Sequence, residues 1–362
     1  MYCILGIPVD AIGMPDVLRR IRNAAANKTR FLISTPNLNY LVTSQSDPDF
    51  RESLHLSDLC PADGISIVWI SRLIGLPINY RVAGSDVFDA LIADQSHANP
   101  LKAFLFGGAA GVAATACCAL NAAAAGVLCV GTLCPGFGSV AQMSQGDIIA
   151  NINSSGADLL VVSLGAKKGQ AWLLCNHAGL QLPVRAHLGA VVNFLAGKVT
   201  RAPAFVRTLG FEWLWRIKEE PSLWSRYWND GIVLLRLLFT RILPLAVWNC
   251  WLRLTHERQH LTVAQAQNEE AVIVSLVGSA TAGQIKKVIV AFESAIATKK
   301  QIVVDFSGTR AVDARFFGLL LMLNKKLKSV GASPTLTGLS PRLEILFRLH
   351  GLGFLVSSKR RA

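Results

Sequence analysis

The chain has 362 residues, enough for two or three domains, with 52% of them hydrophobic and only 16% charged, against about 25% charged in an average soluble protein. Its 36 Lys and Arg outnumber 23 Asp and Glu, a net charge of +13 that points to an anionic partner. Eight cysteines without a Cys-x-x-Cys pair give neither a metal spacing nor a disulfide framework, and the absence of a nucleic-acid-binding motif argues against DNA or RNA.

The N-terminus lacks a basic start and a cleavage site, so a signal peptide is not expected and the protein is read as reduced and cytoplasmic. Tyr2 to Val9 reads as a strand and Met14 to Asn27 as a helix. Phe31 to Ile33 is a short apolar run suited to a buried strand. It ends in Ser34, Thr35, Pro36, Asn37 and Asn39, small polar side chains where an open α/β sheet places its ligands. Further on, Asp63 sits between Pro61 and Gly64, with no Lys or Arg within eight positions, just before the apolar stretch Ile65 to Ile70. It is either a helix N-cap or a catalytic base. Arg81 is a surface charge or faces a phosphate. Ser85 and Asp86 precede another apolar helix, which they are placed to cap.

Ala103 to Phe106 is a strand running into Gly107, Gly108 and Gly111 and an Ala-rich helix to about Ala125. A strand, a glycine turn and a helix N-terminus make an anion site, although glycines also allow close packing. The full dinucleotide fingerprint is missing. Strands follow at Val127 to Gly131, Asp158 to Leu164 (leading into Gly165, Lys167, Lys168 and Gln170) and Val184 to Leu188. This alternation predicts an α/β fold: a Rossmann-like, mostly parallel sheet with helices on both faces.

From Gly197 the character changes. Residues 198–258 are rich in Arg and Trp, with ten Lys or Arg against five Asp or Glu. Glu212, Arg216 and Glu220 recur at four-residue spacing on one helical face. Arg201, Arg207, Arg216 and Arg226 either stay solvated or converge on an anionic ligand. Gly231 to Leu252 is long enough to span a bilayer, but Arg236 and Arg241 would each cost about 2.5–3.5 kcal/mol there. Asn249, Arg253 and His256 share one face beyond Pro244, opposite Val247, Trp251 and Leu254. Helices lying on an anionic membrane surface are therefore expected. Residues 259–270 read as a polar linker. Residues 271–358 read as a small α/β domain, and the basic end at Lys359 as a frayed tail.

Thr35-Pro-Asn37, Ala62-Asp63-Gly64, Arg81-Val-Ala-Gly84-Ser-Asp86, Gly197-Lys-Val-Thr-Arg201-Ala-Pro203, Glu212-Trp-Leu-Trp-Arg216, Glu220-Pro221 and Arg226-Tyr227 occur in this order. Over about residues 1 to 230 they resemble the WecG/TagA/CpsF glycosyltransferases. The resemblance implies an inverting, metal-independent transferase that needs no cofactor. It would move a sugar of the N-acetylmannosamine or related uronic type from a UDP-sugar to a polyprenyl-diphosphate-linked sugar, on the inner face of the cell membrane. By position, Asp63 matches the base, and Thr35 and Asn37 match pocket residues. Arg81 matches a donor-side arginine, and Arg216 and Arg226 match arginines that meet diphosphate. Asp86, Gly107, Gly108, Gly165, Gln170 and Arg201 complete the expected substrate site. The family's Gly-x-Pro-Lys-Gln-Glu motif is Gly165-Ala-Lys-Lys-Gly-Gln170 here, and a loop acid is Asn193. Lys167 and Lys168 raise the expectation of an acidic donor. The rival readings are a nucleotide-dependent oxidoreductase using the Gly107 turn, and a non-catalytic scaffold.

Residues 268 to 357 resemble the STAS fold through Val303-Val-Asp305-Phe-Ser-Gly308 and Asp313-Ala-Arg-Phe-Phe-Gly318. Ala314 replaces the serine that is phosphorylated in switch proteins, so that switch is not expected. The domain is either a docking or nucleotide-sensing module for a partner, or a unit that stabilises or spaces the enzyme.

Overall fold

The computed structural model describes residues 1–97, 99–123, 126–208, 210–255 and 260–357. Its strands are β1 Tyr2–Ile4, β2 Ile7–Val9, β3 Phe31–Ile33, β4 Leu101–Gly107, β5 Val127–Leu133, β6 Leu159–Ser163, β7 Val184–His187, β8 Leu261–Gln267, β9 Ala271–Ala280, β10 Gln301–Val312 and β11 Thr335–Thr337. The chain divides into two compact units. One is Ile12–Val68 with Tyr80–Ile232, and the other is Met1–Ala11 with Trp69–Asn79 and Val233–Ala362.

The first unit is built on a parallel five-stranded sheet in the order β3-β7-β6-β4-β5. Its central strands are apolar on both faces because both are covered. Leu159 and Val161 of β6 join Val17, Ile21 and Phe88 on one side. Leu160 and Val162 join Phe106, Trp172 and Leu173 on the other. The chain passes from β4 to β5 on one flank and returns to β6 on the opposite flank of β4. Such a reversal opens a crevice at the carboxyl ends of the strands. Gly107 sits at its mouth with φ +105, and a Cβ there would lie 2.6 Å from the Ser163 carbonyl oxygen.

The second unit carries a four-stranded sheet in the order β11-β10-β9-β8, with only β8 antiparallel to its neighbour. Val272, Val274, Phe306, Phe316, Phe317 and Phe347 form its core. Cys3 of the amino-terminal segment lies in that same core, and Met1 O accepts a hydrogen bond from Arg315 Nη1 at 2.5 Å.

Three features differ from the sequence reading. Tyr2 to Val9 is a hairpin, not one strand, because Leu5 and Gly6 take positive φ and form a two-residue turn. Residues 261–267, read as linker, are strand β8. Only Leu261 is fully buried there, and an edge strand can remain polar. Pro221–Thr255 is one helical run of 35 residues, long and apolar enough to cross a membrane by length and composition. It passes Pro244 through a π turn at Leu238–Ile242, which accommodates the missing N–H and the clash with the preceding turn. His256, Ala125 and the tail at Lys359 lie outside the described residues.

Candidate active site

Three loops of the first unit are zipped together by backbone bonds. Ser34 N donates to Leu59 O at 3.1 Å, Asp63 N to Pro36 O at 2.9 Å, and Val82 N to Ala62 O at 2.8 Å. Thr35, Asp63 and Gly84 thus converge. Asn37 caps helix Leu38–Ser46, its Oδ1 accepting from Tyr40 N at 3.1 Å. Gly84 is small for a reason: a Cβ would lie 3.2 Å from Thr35 Oγ1 and 2.7 Å from Leu188.

Asp63 is half-buried among these loops. Among the described residues its carboxyl accepts one hydrogen bond, a long one of 3.5 Å from Gly84 N. Burial pushes its pKa up to about 7, opposed by the charge of Arg81 and reinforced by Glu212. A carboxylate with so few donors and a pKa near neutrality is suited to accept a proton.

Beside it, Asp86 gathers three arginines. Its Oδ2 meets Arg81 Nη2 at 2.7 Å, and its Oδ1 meets Arg207 Nη1 at 2.9 Å and Arg201. Arg81 also pairs with Glu212 at 3.1 Å, and Arg201 with Asp89. The expected i to i+4 ladder is thus only half formed, since Arg216 pairs with Glu220 at 3.4 Å while Glu212 turns to Arg81. The sequence suggested Arg81, Arg201 and Arg207 but not that Asp86 and Glu212 would hold them. Arg201 also borders a cavity of about 190 Å³ walled by Ser85, Asp89, Val191, Phe194 and Val199.

Below this floor lies a buried network that sequence reasoning missed. His187 Nε2 is 2.6 Å from Leu164 O and therefore carries the proton, so Nδ1 accepts from Tyr40 OH at 2.6 Å. Gln170 Nε2 donates to Tyr40 OH at 3.3 Å and to Ser34 Oγ at 2.9 Å. Burial lowers the His187 pKa, consistent with this neutral tautomer. The Tyr40 phenol is raised by burial and also feels the charge of Asp63. Gln170 was expected to bind substrate, but it has no exposed surface and its amide is engaged on both sides. It is corrected to a supporting role. Gly169 is required here because a Cβ would collide with the His187 imidazole.

The other expected residues fall as follows. Gly107 and Gly108 line the sheet crevice, where Gly108 N donates to Ser163 O at 3.0 Å. Gly165 precedes helix Ala166–Asn176. Lys167 pairs with Asp47 at 2.6 Å, and Lys168 donates to Gly138 O at 2.9 Å. Both side chains are engaged in these contacts. Arg226 lies over the Tyr227 ring at 4.9 Å. Its helix is tied to the Asn37-capped one by Asn39, whose Nδ2 reaches both Asp230 oxygens at 3.2 and 3.3 Å. No described contact joins Arg216 or Arg226 to Asp63.

Residues 2–246 match the glycosyl transferase WecG/TagA/CpsF family, and residues 263–357 match the Mlab STAS domain. An N-acetylglucosaminyldiphosphoundecaprenol N-acetyl-beta-D-mannosaminyltransferase of Bacillus spizizenii is 26% identical over 200 residues, spanning 55% of this chain and 75% of that protein. The protein of the same name in Staphylococcus aureus is 25% identical over 218 residues, spanning 59% and 82%.

Proposed function

The chain belongs to the WecG/TagA/CpsF glycosyltransferase family, and from that premise we propose that it moves an N-acetylmannosamine-type sugar from a UDP-sugar to a polyprenyl-diphosphate-linked sugar for surface polysaccharide. Asp63 is the base. The acceptor hydroxyl attacks the anomeric carbon, its proton passes to the Asp63 carboxylate, and the bond to the UDP oxygen breaks with its electron pair leaving on UDP. One displacement inverts the anomeric centre.

The observation that carries this reading is the Asp63 carboxyl, short of donors, held near pKa 7 beside the Arg81 guanidinium. Thr35 and Asn37 orient the substrates. Arg81, Arg201, Arg216 and Arg226 take the diphosphates, where guanidinium forks stabilise the charge that develops on the leaving group. Asp86 holds the first two in place. On this reading the arginines supply the countercharge and no metal is needed, so a chelator leaves turnover unchanged.

The acceptor is a membrane lipid, and the names of the relatives, transferases acting on N-acetylglucosaminyldiphosphoundecaprenol, support that choice. Peripheral attachment on the inner face is the preferred arrangement. Leu245 and Leu252 of helix Leu243–Thr255 are buried, and Trp248 packs against the core of the second unit, so one side of this helix is already covered by protein. That favours a helix lying on the membrane over one crossing it.

Purified protein given UDP-N-acetylmannosamine and a polyprenyl-diphosphate N-acetylglucosamine should release UDP, and Asp63→Asn should abolish release while the protein stays folded. Near-normal turnover by Asp63→Asn removes Asp63 from the chemistry. No UDP release across a panel of UDP-sugars favours a scaffold.

A further inference from the structure

Helices Leu243–Thr255 and Pro341–Leu349, both in the second unit, enclose an open groove of about 320 Å³. Its walls are almost wholly apolar, with Val247, Trp248, Trp251, Ile345 and Leu349 contributing. Arg342 is the one charged residue that lines it. The two indoles stack with centroids 5.0 Å apart, and the Arg342 guanidinium rides over both rings at 4.5 and 4.4 Å. Among the described residues Arg342 has no acidic partner. Stacking on ring faces leaves the guanidinium edge, with its N–H fork, open to an anion.

The groove does not end at its rim. Phe239, Leu243, Val247 and Leu254 continue it along the helical run as exposed apolar side chains, with Val247 at 70% and Leu254 at 81% exposure, and Ile345 adds a neighbour at 57%. Residues 233–255 contain Arg236, Arg241 and Arg253 and no acid. An apolar strip flanked by tryptophans and arginines has the composition of a surface that seats at the headgroup boundary of a bilayer.

We propose that this groove binds one anionic phospholipid of the membrane, an acyl chain lying between the two helices and the phosphate on Arg342. The C-terminal domain then contributes its own lipid contact through Arg342 and Ile345, a role distinct from docking a protein. The commitment to lipid rests on the match between a lone unpaired cation and an apolar trough continuous with an apolar helix face. It does not depend on the sugar-transfer reading, since binding is measured without donor or acceptor.

The test is sedimentation of the full chain with vesicles of phosphatidylcholine alone or doped with phosphatidylglycerol, and quenching of tryptophan fluorescence by phosphatidylglycerol with brominated acyl chains. Binding should favour the anionic vesicles, and Arg342→Gln should weaken it about fivefold. Ile345→Asp should weaken it further. Trp248→Phe/Trp251→Phe should remove more of the quenching than Trp224→Phe/Trp228→Phe. Because Arg342 and Ile345 are exposed, far-ultraviolet circular dichroism should match wild type in the single variants. Wild-type partition by both Arg342→Gln and Ile345→Asp overturns the proposal, as does quenching that ignores Trp248 and Trp251. A dimer in sizing chromatography that Ile345→Asp dissociates also overturns it, by assigning the groove to a second copy.

Discussion

Asp63 in the first unit and Asp313 in the second are both aspartates just ahead of a helix, and burial raises the pKa of each. Their partners differ. Asp313 accepts from Arg315 N at 3.0 Å, Phe316 N at 2.9 Å and Ala282 N at 2.7 Å, so it caps helix Ala314–Lys328 and ties in a second loop. Asp63 has a single 3.5 Å bond. A buried carboxylate surrounded by N–H donors is a structural joint. One short of donors beside a guanidinium retains lone pairs for a reacting proton. Both stand where a helix N-cap belongs, and the donor count separates them.

The sharpest way to break this comparison is to remove each carboxylate in turn. Asp63→Asn should lower transfer by about 10²–10⁴-fold, the usual range for losing a general base, measured as UDP release at saturating donor. Asp313→Ala should instead destabilise the second unit by about 2–3 kcal/mol, since it removes a cap and leaves buried N–H groups unpaired. Denaturant unfolding measures that loss, and transfer per folded molecule should be unaltered. If the two variants exchanged phenotypes, donor count would not distinguish the roles.

Much of this was legible in the sequence, and the gaps have physical causes. The parallel sheet was readable because Leu159 to Val162 and Ala103 to Phe106 are continuous apolar runs. Asp63 stood out as a lone acid beside a polar strand end. What could not be read were the long-range pairings. Asp86 meets Arg201 and Arg207, more than a hundred residues away, and Glu212 prefers Arg81 to its helical neighbour. The burial of Gln170 depends on Tyr40 and His187, each more than a dozen residues from it in sequence. Strand β8 escaped because an edge strand buries too little for its alternation to show.

The network beneath Asp63 sharpens the comparison at a smaller scale. Gly169→Ala should cost about 1–3 kcal/mol of stability, because the new methyl group drives the His187 imidazole off Tyr40 and Leu164. In a His187→Ala background the same change should cost much less. Thermal unfolding of the four proteins of this cycle checks the coupling; equal costs in both backgrounds would mean the glycine serves some other purpose.

Titration of Asp63 gives the finest test, because activity and stability should move in opposite directions. Its pKa rises from 3.8 to about 7 on folding. As a base it works only when ionised, so kcat/KM should fall about tenfold per pH unit below pH 7 and level off above it. For stability, the native state between about pH 4 and 7 holds a proton that the unfolded chain has released. Raising the pH through this window therefore lowers stability, and the loss is complete above about 7. Asp63→Asn carries no such titration, so its stability advantage over wild type should be near zero at pH 4 and grow to about 1–3 kcal/mol above pH 7. Melting temperatures of both proteins across this range decide the matter. An advantage that shrinks with rising pH would mean that the fold stabilises Asp63 as an anion, and would remove it as the base.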